Sequence, residues 1–128
     1  MARKRISSHS PMEPRIGFSR AVRVGPYLAV AGTAPIAADG ATACPGDVYG
    51  QARACLEIAR RAIEDAGFGL DDVVRTRVML VDMDSWQAAA RAHGEVFADI
   101  RPACTFVGVA RFIDPDWLVE VEVDCFRA

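Results

Sequence analysis

The chain has 128 residues, within the commonest range for one domain, and 15 Lys and Arg against 17 Asp and Glu leave a net charge of −2. That balance excludes an overall field that would draw it onto nucleic acid or an anionic membrane. Hydrophobic residues make up 52% of the chain, rich for so small a body, so part of the apolar surface is expected against another subunit.

The first residues are polar, carry Pro11 and Pro14 and show no period, so residues 1–14 are expected as a loose arm ahead of a single domain over 15–128. Arg3-Lys4-Arg5 is followed by Ser, His and Pro rather than an apolar secretory segment. No later run reaches the roughly 20 apolar residues of a membrane span, so no membrane partner is expected and the protein reads as cytoplasmic.

Loose alternation from Phe18 to Val24, a turn at Gly25-Pro26 and a more apolar run from Tyr27 to Ala34 predict a β-hairpin. Ala37 to Gly46, full of Ala, Gly, Asp and Pro, predicts a loop. From Val48 to Ala66, Ala52, Cys55, Leu56, Ala59, Ala62, Ile63 and Ala66 recur at three- and four-residue steps, the signature of an amphipathic helix that Gly67 stops.

Val73 to Val81 reads as a strand with Val74, Thr76, Val78 and Leu80 on one face and Arg75 and Arg77 on the other. Asp84 or Ser85 can cap a second helix to Phe97, with Trp86, Ala89, Ala90, His93 and Phe97 on its inner stripe. After Pro102, Cys104 to Val109 and Leu118 to Phe126 read as strands joined through the turn Asp114-Pro115-Asp116.

The order ββαβαββ predicts an α+β fold, a mixed sheet with both helices on one face. Ala29, Ala31 and Gly32, with Val119, Val121 and Val123, are expected on the uncovered face, suited to contact between subunits. Cys44, Cys55, Cys104 and Cys125 form no CxxC pair and lie far from His9 and His93, so no metal site of standard spacing is expected.

Glu120, Glu122 and Asp124 fall at every second position of the last strand and so share a side. They read either as a solvated face paired with Arg75 and Arg77 or as the seat of a buried acid. His93 reads as a packed, hydrogen-bonded imidazole, and Phe18 and Trp117 as aromatic groups for packing or for covering a ligand.

The runs GFSRAVRVGPYLAVAGTAPI, DVYGQARACLEIARRAIEDAG, VVRTRVMLVDM and RPACTFVGVARFIDPDWLVEVEVDCF, in that order and spacing, resemble the RidA family, also called YjgF/YER057c/UK114. The resemblance covers nearly all of 15–128. It implies a chorismate-mutase-like fold, a homotrimer whose sheets form a central barrel, and a small-molecule ligand in a cleft at each subunit interface. It also implies hydrolysis of reactive enamines and imines to a keto acid and ammonia without metal or organic cofactor.

That resemblance puts Glu120 where the water-handling glutamate stands and Gly32 on the strand whose backbone lines the cleft. It also implies departures: Cys104, followed by Thr105, stands where the deaminase pattern has Arg-Ser, Ser19 where it has a tyrosine, and Ala90 where it has an asparagine. A lost bidentate arginine removes charge-assisted hydrogen bonds of roughly 1.5–3 kcal/mol each, so a carboxylate ligand would need another cation. Arg20 is the nearest, with Arg101 and Arg111 at the ends of the Cys104 strand. Thr33 and Thr105 can donate hydrogen bonds to a ligand, or serve simply as strand formers. Cys104 has no histidine expected beside it and reads as a small cleft-lining residue rather than a nucleophile. With no basic, aromatic-laced stripe, nucleic acid is not an expected partner.

Overall fold

Alternation in the last strand decides which way the sheet faces. In the computed structural model, which describes residues 2–128, that strand is β6 (Val119–Phe126), with Val119, Val121, Val123 and Cys125 buried on one side and Glu120, Glu122 and Asp124 on the other. It runs antiparallel between β3 (Tyr27–Thr33) and β4 (Val73–Leu80), at the centre of a six-stranded sheet. The order is β1-β2-β3-β6-β4-β5, where β1 is Arg3–Ile6, β2 is Ala21–Val24 and β5 is Ala103–Gly108. Only β4 and β5 pair in parallel, so the sheet is mixed.

Two long helices cover the valine side. α2 (Val48–Asp65) buries Ala52, Cys55, Leu56, Ala59, Ala62 and Ile63 in the core cluster that contains Leu28, Val30, Val78, Leu80 and the β6 valines. Three alanines in this stripe keep it thin, so the helix axis can lie close to the sheet. The Asp47 side chain caps the first turn by accepting from the Gly50 N–H at 3.0 Å, and Gly67, at φ 87°, ends the helix in the left-handed conformation a side chain would oppose. Full burial of each Leu, Ile or Val here stabilises by roughly 1.5–3 kcal/mol. α3 (Trp86–Phe97) packs beside α2 and buries Ala89, Ala92 and Phe97.

From β2 onward the order is the ββαβαββ read from the sequence, and the fold is α+β. Four local expectations are corrected. Arg3–Ile6, read as part of a loose arm, is an edge strand antiparallel to β2, and Met12–Ile16 forms a short helix, α1. Val119, Val121 and Val123 face the helices, so the uncovered face is not a valine surface but carries Arg75, Arg77, Glu122 and Asp124. Val74 is 49% exposed because a register shift between Val73 and Arg75 hands the buried position to Val73. Trp86 is exposed, edge-on to Phe106, and Ser85 makes no capping bond; a 3₁₀ turn over Met83–Ser85, capped by Asp82, starts α3 instead.

Candidate active site at the bulge of the third strand

The β3–β6 ladder is regular from Tyr27 to Val30 and then shifts register before Thr33 meets Val121. The extra residues are Ala31 and Gly32, and a bulge of this kind leaves backbone groups that the ladder no longer serves. Here nearby groups serve them. The Ala31 N–H donates to the Arg20 carbonyl at 2.9 Å, the Thr33 hydroxyl donates to the Ala31 carbonyl at 2.7 Å, and Arg20 Nη2 donates to the Gly32 carbonyl at 2.6 Å.

Gly32 is glycine for a reason of space. A Cβ built there would lie 3.0 Å from Glu120 Oε1, tighter than ordinary packing allows, so the carboxyl of Glu120 occupies the place a side chain would take. Glu120 is half-buried and makes no ion pair or side-chain hydrogen bond among the described residues. Burial raises its pKa above the ordinary carboxyl range, the Arg20 charge pulls it back, and Glu122 pushes it up again. A carboxyl so placed can hold a proton nearer neutrality than a surface glutamate and pass it to a bound molecule.

Arg20 is only 8% exposed, and its Nε is buried without a hydrogen-bond partner. Burial lowers its pKa, while Glu13 and Glu120 oppose that, yet the guanidinium forms no ion pair with either. Phe18 lies under the guanidinium, 5.6 Å from ring centroid to Cζ. Ser19, next in the chain, lines a concavity of about 300 Å³ on the uncovered sheet face with Ala29, Ala31, Arg77 and Glu122.

The structure therefore brings Arg20, Gly32 and Glu120 together, whereas Ser19 lines the concavity beside Arg77 and Glu122, which neither Gly32 nor Glu120 lines. Thr33 lies beside them but is fully buried, with its hydroxyl spent on Ala31. Cys104 and Thr105 are not brought there: they sit on β5, with β4 between that strand and β6, so about 10 Å of sheet separates them from it. Both are exposed, and Cys104, in register with Thr76, faces the helix side rather than the side of Glu120. Cys55 and Cys125 are buried, and burial pushes the Cys125 thiol to about 12, far from the range of a nucleophile. His93 bonds the Thr76 hydroxyl at 2.8 Å and packs on Phe97 and Phe106, the packed imidazole its stripe suggested.

Glu13 was not read as part of the site. It is buried, and it accepts from the backbone N–H and the hydroxyl of Ser8 at 2.9 and 2.6 Å. Those bonds outweigh burial and hold its pKa below the ordinary value. A signal was present: Ser10-Pro11-Met12-Glu13 has the S-x-x-E spacing of a helix start, with Gly17 as the stop. Among the described residues no group of three or more His, Cys, Asp or Glu is placed to hold a metal ion, and no helix is long and apolar enough to cross a membrane.

A family profile described as Endoribonuclease L-PSP matches residues 8–126. The Mycobacterium tuberculosis protein Rv2704, a member of the highly conserved YjgF/YER057c/UK114 family, has a structure that superposes with a TM-score of 0.88 at 38% identity, covering 98% of this chain and 100% of that one. The chain belongs to the RidA family. Among its RidA-family relatives, a RutC family protein of Pyrococcus abyssi is 30% identical over 127 residues, 99% of this chain and 99% of that protein. An uncharacterized Streptomyces coelicolor protein is 40% identical over 124 residues, 97% of this chain and 92% of its own length. RidA membership supports a role connected with small molecules.

Proposed function

We propose that this RidA-family protein hydrolyses or tautomerises an imine or enamine-type metabolite, with Glu120 as the acid/base, in a cleft completed by a second copy in a homotrimer. The observation that carries it is the Glu120 carboxyl, half-buried and unpaired above Gly32, which has the protonation behaviour such a step requires. For hydrolysis, Glu120 takes a proton from water as its oxygen bonds to the C=N carbon. Return of that proton to nitrogen gives the neutral carbinolamine, and Glu120 then carries its hydroxyl proton to nitrogen as the C–N bond breaks, so that ammonia leaves and the carbonyl forms.

Gly32, beside Glu120, and Ser19, on the concavity of the uncovered face, are the ligand-facing groups this chain supplies. Cys104 and Thr105 enter the cleft from the neighbouring copy, a placement supported by the exposed edge of β5, which pairs with β4 alone. With no carboxylate-clamping arginine at Cys104, a carboxylate on the imine needs another cation. The setting is cytoplasmic.

The test is ammonia release from imines generated in situ by an amino-acid oxidase, for the parent, Glu120→Ala and Cys104→Arg at matched concentration. Acceleration by the parent that Glu120→Ala loses supports the enzyme; no acceleration across a broad imine panel sinks it. Cys104 in place of a cation favours a second reading, a trimeric ligand-binding or regulatory protein that kept the cleft without the chemistry. Activity of Cys104→Arg alone supports an intact cleft with a different natural ligand. Nucleic-acid cleavage has no support in the charge pattern, since the net charge is −2 and the uncovered face pairs Arg77 with Glu122.

A further inference from the structure

Arg20 is a buried cation that makes no ion pair, and such a group needs an explanation. A ligand anion is not that explanation at Nε, because this nitrogen is covered by the protein itself. What Arg20 does touch is the bulge. Its carbonyl accepts from the Ala31 N–H, and its Nη2 donates to the Gly32 carbonyl, so one residue ahead of β2 holds two successive bulge residues by main chain and side chain. Against Gly32 stands the Glu120 carboxyl, whose Oε1 is 3.0 Å from where a Cβ on Gly32 would lie.

We propose that Arg20 is a positioning residue: it locks the β3 bulge so that Gly32 leaves a seat for the Glu120 carboxyl, and it places a fixed positive charge beside that seat. Charge and donor act separately. The donor fixes the Gly32 carbonyl and with it the bulge; the charge favours the ionised form of Glu120 against the burial that disfavours it. Glu13 of α1 is the carboxylate that offsets the Arg20 charge from the N-terminal side, so Glu120 need not pair with Arg20 and remains available. The other ionisable groups that bear on the pair are Glu122, on β6, and Cys55, on α2. Arg77 is already engaged by Glu122 at 2.9 Å.

Two variants divide charge from donor. Arg20→Gln removes the charge and keeps an N–H donor; Arg20→Lys keeps the charge and loses the fork. The readout is NMR on the full-length, ligand-free protein, following the side-chain carboxyl signal of Glu120, assigned by its loss in Glu120→Gln, together with the Ala31 and Gly32 amides, through a pH titration. In Arg20→Gln the Glu120 midpoint moves up relative to the parent; in Arg20→Lys it stays near the parent while the Ala31 and Gly32 amide signals shift. A merely structural role would shift those amides in both variants and leave the midpoint in place. An unmoved midpoint in folded Arg20→Gln overturns the proposal, as do unshifted Ala31 and Gly32 amides in Arg20→Lys. If Arg20→Gln does not fold, Arg20→Met takes its place as the charge-removing variant: a raised Glu120 midpoint supports the proposal and an unmoved one overturns it. Since no substrate enters the titration, failure of every imine assay would leave this result standing, and the converse also holds.

Discussion

Glu120 and Glu122 stand two residues apart on one face of one strand, yet the two ends of β6 treat them differently. Beside Glu122, β4 runs in regular register and puts Arg77 opposite; the pair closes at 2.9 Å, with both side chains well exposed. Beside Glu120, β4 puts Met79 opposite, Gly32 of β3 leaves room for the carboxyl, and the carboxyl is half-buried without a partner. Identical side chains thus become a surface ion pair and a half-buried acid, according to which residues the neighbouring strands set beside them. Pattern within a strand places a charge on a face; the neighbouring backbone decides what that charge can do.

The difference can be broken most severely at Glu120 itself. Glu120→Gln should lower any imine-dependent ammonia release by about 10²–10⁴-fold, the usual range for a lost acid/base, whereas Glu122→Gln should leave it within about 2-fold; initial rates at matched concentration check both. Gly32→Ala comes next. Its Cβ would meet Glu120 Oε1 at 3.0 Å, so the carboxyl must move, and a loss of about 10-fold in rate is expected with the thermal midpoint nearly kept.

A titration of stability sharpens the same contrast. The folded pKa of Glu120 is raised, so the folded state holds its proton more tightly than the unfolded chain. Relative to Glu120→Gln, the parent is therefore favoured at pH below the ordinary carboxyl value and loses that advantage as pH rises through the raised one. Urea midpoints of the two proteins across that window should diverge in this direction, and parallel curves would contradict the burial of Glu120. The smallest effect belongs to the exposed pair: Arg77→Met should cost about 0.2–1 kcal/mol in urea unfolding, less at high salt.

The sequence carried the fold because its periods are unambiguous where they matter. The three- and four-residue steps from Ala52 to Ile63 and the alternation from Val119 to Cys125 mark faces that only burial can satisfy; the helix stripe is buried as expected, and the β6 valines are buried against it rather than on the uncovered face. Arg77 and Glu122 on a common face were legible for the same reason. What could not be read is whatever depends on register between strands distant in sequence. The slip at Val73–Arg75 reverses Val74, and the bulge at Ala31–Gly32 sets Gly32 beside the Glu120 carboxyl, yet neither alters the local hydrophobic pattern. The valines of β6 were set on the wrong side because alternation gives two faces without naming them; the stripe on α2 chooses. Glu13 was missed because a five-residue helix is too short for periodicity to show.

The place of β6 also bears on how the chain assembles its fold during synthesis. β1, β2 and β3 form one antiparallel group and β4 and β5 another, and nothing but β6 joins them into a sheet. Until residue 126 has left the ribosome, the emerging polypeptide holds two unjoined pieces whose apolar sides share no common strand, and long-range pairing of this kind is slow. The central strand is therefore the last to emerge, and its pairing both closes the sheet and brings Glu120 to Gly32.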